Sequence, residues 1–286
     1  MTPPQNSLPP ANIPLAFFRE TALGFEPLPL AAGAWSPDSV NGPAVCGLLA
    51  RSLEIEHCPD GFTPARLTVD LFRLTQRRPV SVRTTVVRSG NRIRVADAEL
   101  VQDEVTVARA SAVFLRRSEQ PPGDLWTRGD DPAPPPAELL GATGMPLWGS
   151  DEHPDGWTHE LAEHQNGSRK RCWQTPVPVV LGRPASAFAA AATIGESASL
   201  MTNWGSAGVG FINADLTMAL TRAVQGTAIG VEADSHLSLD GIAVGSATLF
   251  DRAGSFGTCV VTALANAERQ VDFAEDRFAA MRSGQV

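Results

Sequence analysis

Along residues 66–73, RLTVDLFR, apolar and polar side chains alternate with the period of two expected of a strand with one buried face. The pattern returns 149 residues later as DLTMALTR (215–222), where Leu216, Thr217 and Arg222 match Leu67, Thr68 and Arg73. Val82 in VSVRTTVV falls at the same shift on Val231 in IGVEADSHL. Further on, ADAELVQDEVTVARASAVFL and SATLFDRAGSFGTCVVTALA each read as strand, polar turn and strand. Upstream of each copy, NGPAVCGLLARSLEIE and GRPASAFAAAATIGES set glycine and proline before an apolar helical stretch, proline being suited to a first helical turn. Val45, Cys46, Leu48, Leu49 and Leu53 make the first helix apolar around most of its circumference, as Ala187, Phe188, Ala191, Ala192 and Ile194 do the second. Helices of that kind are buried. The expectation is an α+β protein of two like units, each an antiparallel sheet wrapped around one central helix.

Proline and glycine concentrate between the units, in SEQPPGDLWTRGDDPAPPPAELLGATGMP (118–146), whose PAPPP run favours polyproline II and cannot donate to a strand ladder. This divides the chain into a flexible leader (1–13), an amino-terminal unit (14–118), a linker (119–154), a carboxy-terminal unit (155–268) and a tail (269–286). The leader has neither the basic nor the apolar region of a secretory signal. A net charge of -8 argues against binding nucleic acid through a basic surface, and no apolar run approaches the ~20 residues of a membrane span. Cys46, Cys58, Cys172 and Cys259 are too scattered for a disulfide framework and read as reduced, cytoplasmic thiols.

AWSPDSVNGPAVCGLLARSLE, RLTVDLFRLTQRRPVSVRTTVVRSGNRIRVADAEL and the stretch from WQTPVPVVLGRPASAFAAAA to DLTMALTR together resemble the type II acyl-CoA thioesterase family. The resemblance covers both units and is better in the first. It implies a double hotdog, in which two strongly curved antiparallel sheets each wrap a long helix and pack as a pseudo-dimer. It also implies hydrolysis of acyl-CoA to free acid and CoA, in fatty acid metabolism, with no metal, cofactor or covalent intermediate. The implied partners are the acyl-CoA substrate and, in some assemblies, further copies of the chain, with neither nucleic acid nor membrane. In the family a carboxylate on the second helix, a Thr, Ser or Asn opening the next strand and a Gln on the last strand hold the attacking water. Here the first two positions fall on Glu196 and Asn213, whereas the third falls on Val261 or Thr262. The family's His-Gly-Gly-like turn at the first helix is replaced by Val40, Asn41 and Gly42.

The residues suit that chemistry on their own terms. A carboxylate such as Glu196 can take a proton from water, and an amide such as Asn213 can orient the water or the carboxylate. The helix start at Asn41 and Gly42 offers backbone donors and a positive dipole end to an oxyanion. Glu196 lies twelve residues past Pro184, so a helix opening there puts it ~18 Å down its own axis. Its oxyanion side must then come from the other unit. Two alternatives remain open: a degenerate double hotdog that binds acyl-CoA or another apolar ligand without hydrolysis, and an enoyl-CoA hydratase-like enzyme, against which stands the lack of a D-x4-H motif. His153, His159 and His164 share neither a helix face nor a strand face and are not read as a metal site. GSAGVG (205–210) lacks the lysine of a P-loop and reads as a helix-to-strand connection. Arg73 and Arg222 are read as strand-end arginines and given no role.

Overall fold

A computed structural model describes residues 15–140, 145–154 and 156–274. The segment read as a leader and residues 275–286 of the tail lie outside the described residues. In the first half, helix α1 (Gly42–His57) is followed by strands β1 (Phe62–Leu71), β2 (Ser81–Ser89), β3 (Ile93–Gln102) and β4 (Val105–Arg116). The second half has β5 (Lys170–Gln174), the helices α2 (Ala187–Gly195) and α3 (Ala198–Asn203), then β6 (Asp215–Leu220), β7 (Ile229–Leu239), β8 (Ile242–Asp251) and β9 (Gly254–Ala265). The hairpins expected over 96–115 and 246–265 form, the first turning at Asp103 and Glu104 with positive φ and the second through Gly254 at φ 103°.

The long strands join in a single antiparallel sheet of order β2-β3-β4-β1-β6-β9-β8-β7-β5, extended beyond β5 by the short strands Leu147–Ser150 and Trp157–Thr158. Pairing thus begins inside the range read as linker, because Leu147 to Ser150 align with Trp173 to Lys170. The repeated strands β1 and β6 are each other's neighbours, and Thr68 lies directly opposite Thr217, their hydroxyls 3.3 Å apart. The two-fold relation of the halves passes between these threonines. Arg73 and Arg222 lie just past their strands, which end at Leu71 and Leu220.

The sheet curls around the helices, whose apolar residues form one core: Leu48, Leu49 and Leu53 of α1 and Ala191 and Ala192 of α2 have no exposed surface. Contact between Gly42 and Glu196, Gly47 and Thr193, and Glu54 and Ser186 shows that α1 and α2 run antiparallel. At Gly47 a β-carbon would overlap the Thr193 hydroxyl, so glycine sets how closely the helices approach. The amino-terminal arm crosses to the other half, where Phe17 and Phe18 donate backbone hydrogen bonds to Pro178 and Val179.

Candidate active site

Helix α1 opens as a capped start. Asn41 Oδ1 accepts from the Ala44 N–H at 2.9 Å, while its Nδ2 donates to the carbonyls of Leu30 and Ala32 at 3.0 and 3.2 Å. That side chain is fully used in holding the helix end, which corrects the expectation that Asn41 serves the oxyanion side. The backbone donors of the turn are mostly spent as well: Val40 N–H goes to Thr75, Asn41 N–H to Ala31 and Val45 N–H to Asn41. Pro43 has none, which leaves the Gly42 N–H as the donor of the first turn. A β-carbon at Gly42 would overlap the Glu196 carboxyl group. Only glycine admits the carboxylate of one half to the helix start of the other.

Glu196 sits where α2 gives way to α3. The second helix begins at Ala187, not near Pro184, because the Ser186 hydroxyl caps it by accepting from the Ala189 N–H at 3.1 Å. Glu196 is therefore nine residues, roughly 14 Å, from its own helix start, and the nearer helix start is that of α1. Around it the helix tightens, with Ser197 N–H donating to Ile194 and Ser199 N–H to Glu196, the i to i−3 spacing of a 3-10 turn. Gly195 fits this turn against β9 and β6, where a β-carbon would meet Cys259 Sγ at 3.2 Å and Met218 Sδ at 3.3 Å.

The Glu196 side chain is 8% exposed and accepts from Asn213 Nδ2 at 3.1 Å. Burial raises its pKa from 4.5 to about 7, opposed by the Asn213 hydrogen bond, which favours the charged form. Its other neighbours are the thiols Cys46 of α1 and Cys259 of β9, both fully buried and both held well above the usual thiol range, first by burial and then by the Glu196 charge. Of the two positions on which the family's glutamine could fall, Val261 is fully buried. Thr262 is turned aside, and its hydroxyl donates to Asp215 Oδ2 at 2.6 Å.

The related place in the first half is built differently. There Glu54 meets the start of α2 and accepts from the Ser186 hydroxyl, and Pro64 stands where Asn213 stands in the second half. From the sequence, Asp215, Cys46 and Cys259 had no place in the site. Cys46 lies one turn beyond Gly42 and was legible by spacing, whereas Asp215 and Cys259 reach the site through strand pairing. A cavity of about 540 Å³ lies at the far end of α3. It is lined by Met201, Asn203, Trp204, the loop Gly205–Gly208, and His236 of β7, and does not reach Glu196, Asn213 or Gly42.

The histidine-rich segment holds no metal-binding group among the described residues. His164 is fully buried between the hydroxyls of Ser150 and Thr158, each 3.0 Å away, and His159 Nδ1 lies 2.8 Å from the Pro146 carbonyl.

Residues 31–115 match the family described as the acyl-CoA thioesterase N-terminal domain. No curated protein matches the sequence. Among solved structures, the chain is similar to the tesB protein of Mycobacterium avium subsp. paratuberculosis, with 17% identity, a TM-score of 0.62 and coverage of 87% of this chain and 95% of that one. It is similar also to the acyl-CoA thioesterase II TesB2 of Mycobacterium marinum, at 16% identity and TM-score 0.59 over 79% and 91% of the two chains. A hot dog fold protein from Alicyclobacillus acidocaldarius gives 16% identity and TM-score 0.60 over 82% and 90%. These likenesses show the fold, a double hotdog. The chain thus has the double hotdog fold, and its residues 31–115 are similar to an acyl-CoA thioesterase N-terminal domain.

Proposed function

We propose that the protein hydrolyses acyl-CoA thioesters to free acid and CoA by carboxylate-assisted attack of water. One observation carries this reading: a buried carboxylate that titrates near neutrality is bonded to Asn213 and packed against the helix start of the other half. Glu196 takes a proton from the attacking water as that water's oxygen bonds to the thioester carbon. Asn213 fixes the carboxylate and orients the water. The Gly42 N–H, at the positive end of α1, stabilises the oxyanion that develops on the carbonyl oxygen. Collapse of the tetrahedral intermediate breaks the C–S bond, and the proton held by Glu196 returns to the CoA thiolate. The thiols of Cys46 and Cys259 stay protonated and inert, which suits a water nucleophile rather than a covalent one. The four unpaired cysteines are those of a protein working in a reducing, cytoplasmic setting.

Thiol release from a panel of acyl-CoAs tests the proposal. The parent is expected to turn over with a rate that rises with pH through about 7, and Glu196→Gln to lose about 100-fold or more in kcat. An inactive parent, or an unaffected variant, overturns it. A second reading is carried by Val261 and Thr262, neither of which is the glutamine that the resemblance implies there. Under it the site binds acyl-CoA without hydrolysis, and saturable binding with no thiol release is the result that would establish it.

A further inference from the structure

Both halves carry a β-bulge at the strand that follows the helix. In the second half, four steps from Asn213 to Thr217 face three from Ala263 to Val260, and in the first half Pro64 and Arg66 face the adjacent Phe114 and Val113. A bulge leaves ladder groups unpaired and re-aims the local side chains. In the second half the gap is filled by a side chain. Asp215 Oδ1 accepts from the Thr262 N–H at 2.7 Å and Oδ2 from the Thr262 hydroxyl at 2.6 Å. The Ala214 N–H donates to the Thr262 carbonyl at 2.8 Å, which closes the ring. The Asn213 amide is held on the other side, with Nδ2 directed to the Asp215 carbonyl at 3.4 Å and to Glu196 at 3.1 Å.

At the 149-residue shift, Asn213, Asp215 and Thr262 correspond to Pro64, Arg66 and Val113. The first half keeps the bulge and none of the polar residues that fasten it. The clamp is thus confined to the half whose bulge residue meets a buried carboxylate.

We infer that Asp215 is a positioning residue: by clasping Thr262 across the bulge it fixes the Asn213 amide on Glu196 and so sets the charge state of the carboxylate. This rests on the hydrolytic reading for its effect on rate, but its effect on Glu196 can be read without turnover. The groups facing Glu196 are Asn213, the Cys46 thiol from α1 and the Cys259 thiol from β9. Those facing Asp215 are Thr262 from β9 and, across the ladder, Asp70 of β1, which is itself paired with Arg109 of β4 at 2.6 Å.

The experiment follows the Glu196 carboxyl resonance against pH in the full chain, assigned by its loss in Glu196→Gln, beside the pH profile of thiol release. Asp215→Asn and Thr262→Val are each expected to raise the Glu196 titration by about one pH unit, as Asn213→Ala does. The acidic limb of kcat should move with it, by the same amount, while KM changes less than about twofold. Thr262→Ser, which keeps the hydroxyl, should titrate like the parent. Adding Asp215→Asn to Asn213→Ala should give no further shift, since both act through one bond. An unchanged Glu196 titration in folded Asp215→Asn and Thr262→Val, or additive shifts, overturns the inference. So does unfolding of both variants, which would make the clasp a support of the sheet rather than of the site. A parent that titrates and shifts as stated but releases no thiol would overturn the hydrolytic reading alone.

Discussion

Glu196 illustrates how one residue can serve chemistry at the expense of stability. In the unfolded chain it ionises near 4.5, but in the fold near 7, so between those values the native state holds a proton that the unfolded state has released. The unfolded state then binds fewer protons, and stability falls as pH rises through the window. The penalty is absent below about pH 4.5 and complete above about pH 7, where a shift of this size costs about 3 kcal/mol. Glu196→Gln is accordingly expected to be more stable than the parent at pH 8 by an amount of that order, with the difference vanishing at pH 4. Urea midpoints at the two pH values check this, and a variant destabilised equally at both would refute it. At this scale the family resemblance pointed to Glu196 and Asn213, and the fold brings the two side chains within hydrogen-bonding distance. The backbone donor expected at Asn41 is instead spent on the Ala31 carbonyl, and its side chain caps the helix end.

At the scale of elements, the repeated strand shows how one pattern acquires two fates. Arg73 is exposed, whereas Arg222 makes a two-point pair with Asp251 at 2.6 and 2.9 Å and stacks over the Phe256 ring. The Asp251 side chain is 0% exposed and also accepts from the N–H groups of Gln225 and Ala253, so it ties the end of β6 to the β8–β9 turn. Arg222→Met leaves that carboxylate buried without its counter-charge and is expected to cost about 3 kcal/mol. Arg73→Met should stay within about 0.5 kcal/mol of the parent. Equal losses in chemical denaturation would contradict this account. Alternation and turn chemistry made both strands and both hairpins readable in advance. The break between α2 and α3 was not readable, since it depends on packing of Gly195 against Cys259 and Met218, far away in sequence.

For the whole molecule, the pairing of β1 with β6 and the close contact of α1 with α2 join the halves through backbone ladder and core at once. The intervening segment lies along the second half, where Arg128 pairs with Asp234 at 2.7 Å and the Pro135 carbonyl accepts from Arg252 at 3.1 Å. Covalent continuity is therefore not what holds the halves together. A protease site inserted between Glu119 and Gly123, where the chain is exposed, is expected to yield a nicked protein that elutes as one species and separates only in denaturant. Elution of two fragments in native buffer would contradict this.

The sequence by itself determined the repeat, the two buried helices and the antiparallel strands, because periodicity, capping and turn preferences act over a few residues and leave a local record. It also singled out the half that carries the carboxylate and amide, since Asn213 precedes the second copy of the strand where Pro64 precedes the first. Only the tertiary structure decided that the two copies lie side by side about Thr68 and Thr217, and that Gly42 admits Glu196 to the start of the opposite helix. It alone decided, too, that Asp215 fills a gap in the ladder beside Asn213. Each of these depends on close packing or strand register between residues distant in the chain, and such distances leave no local pattern to read.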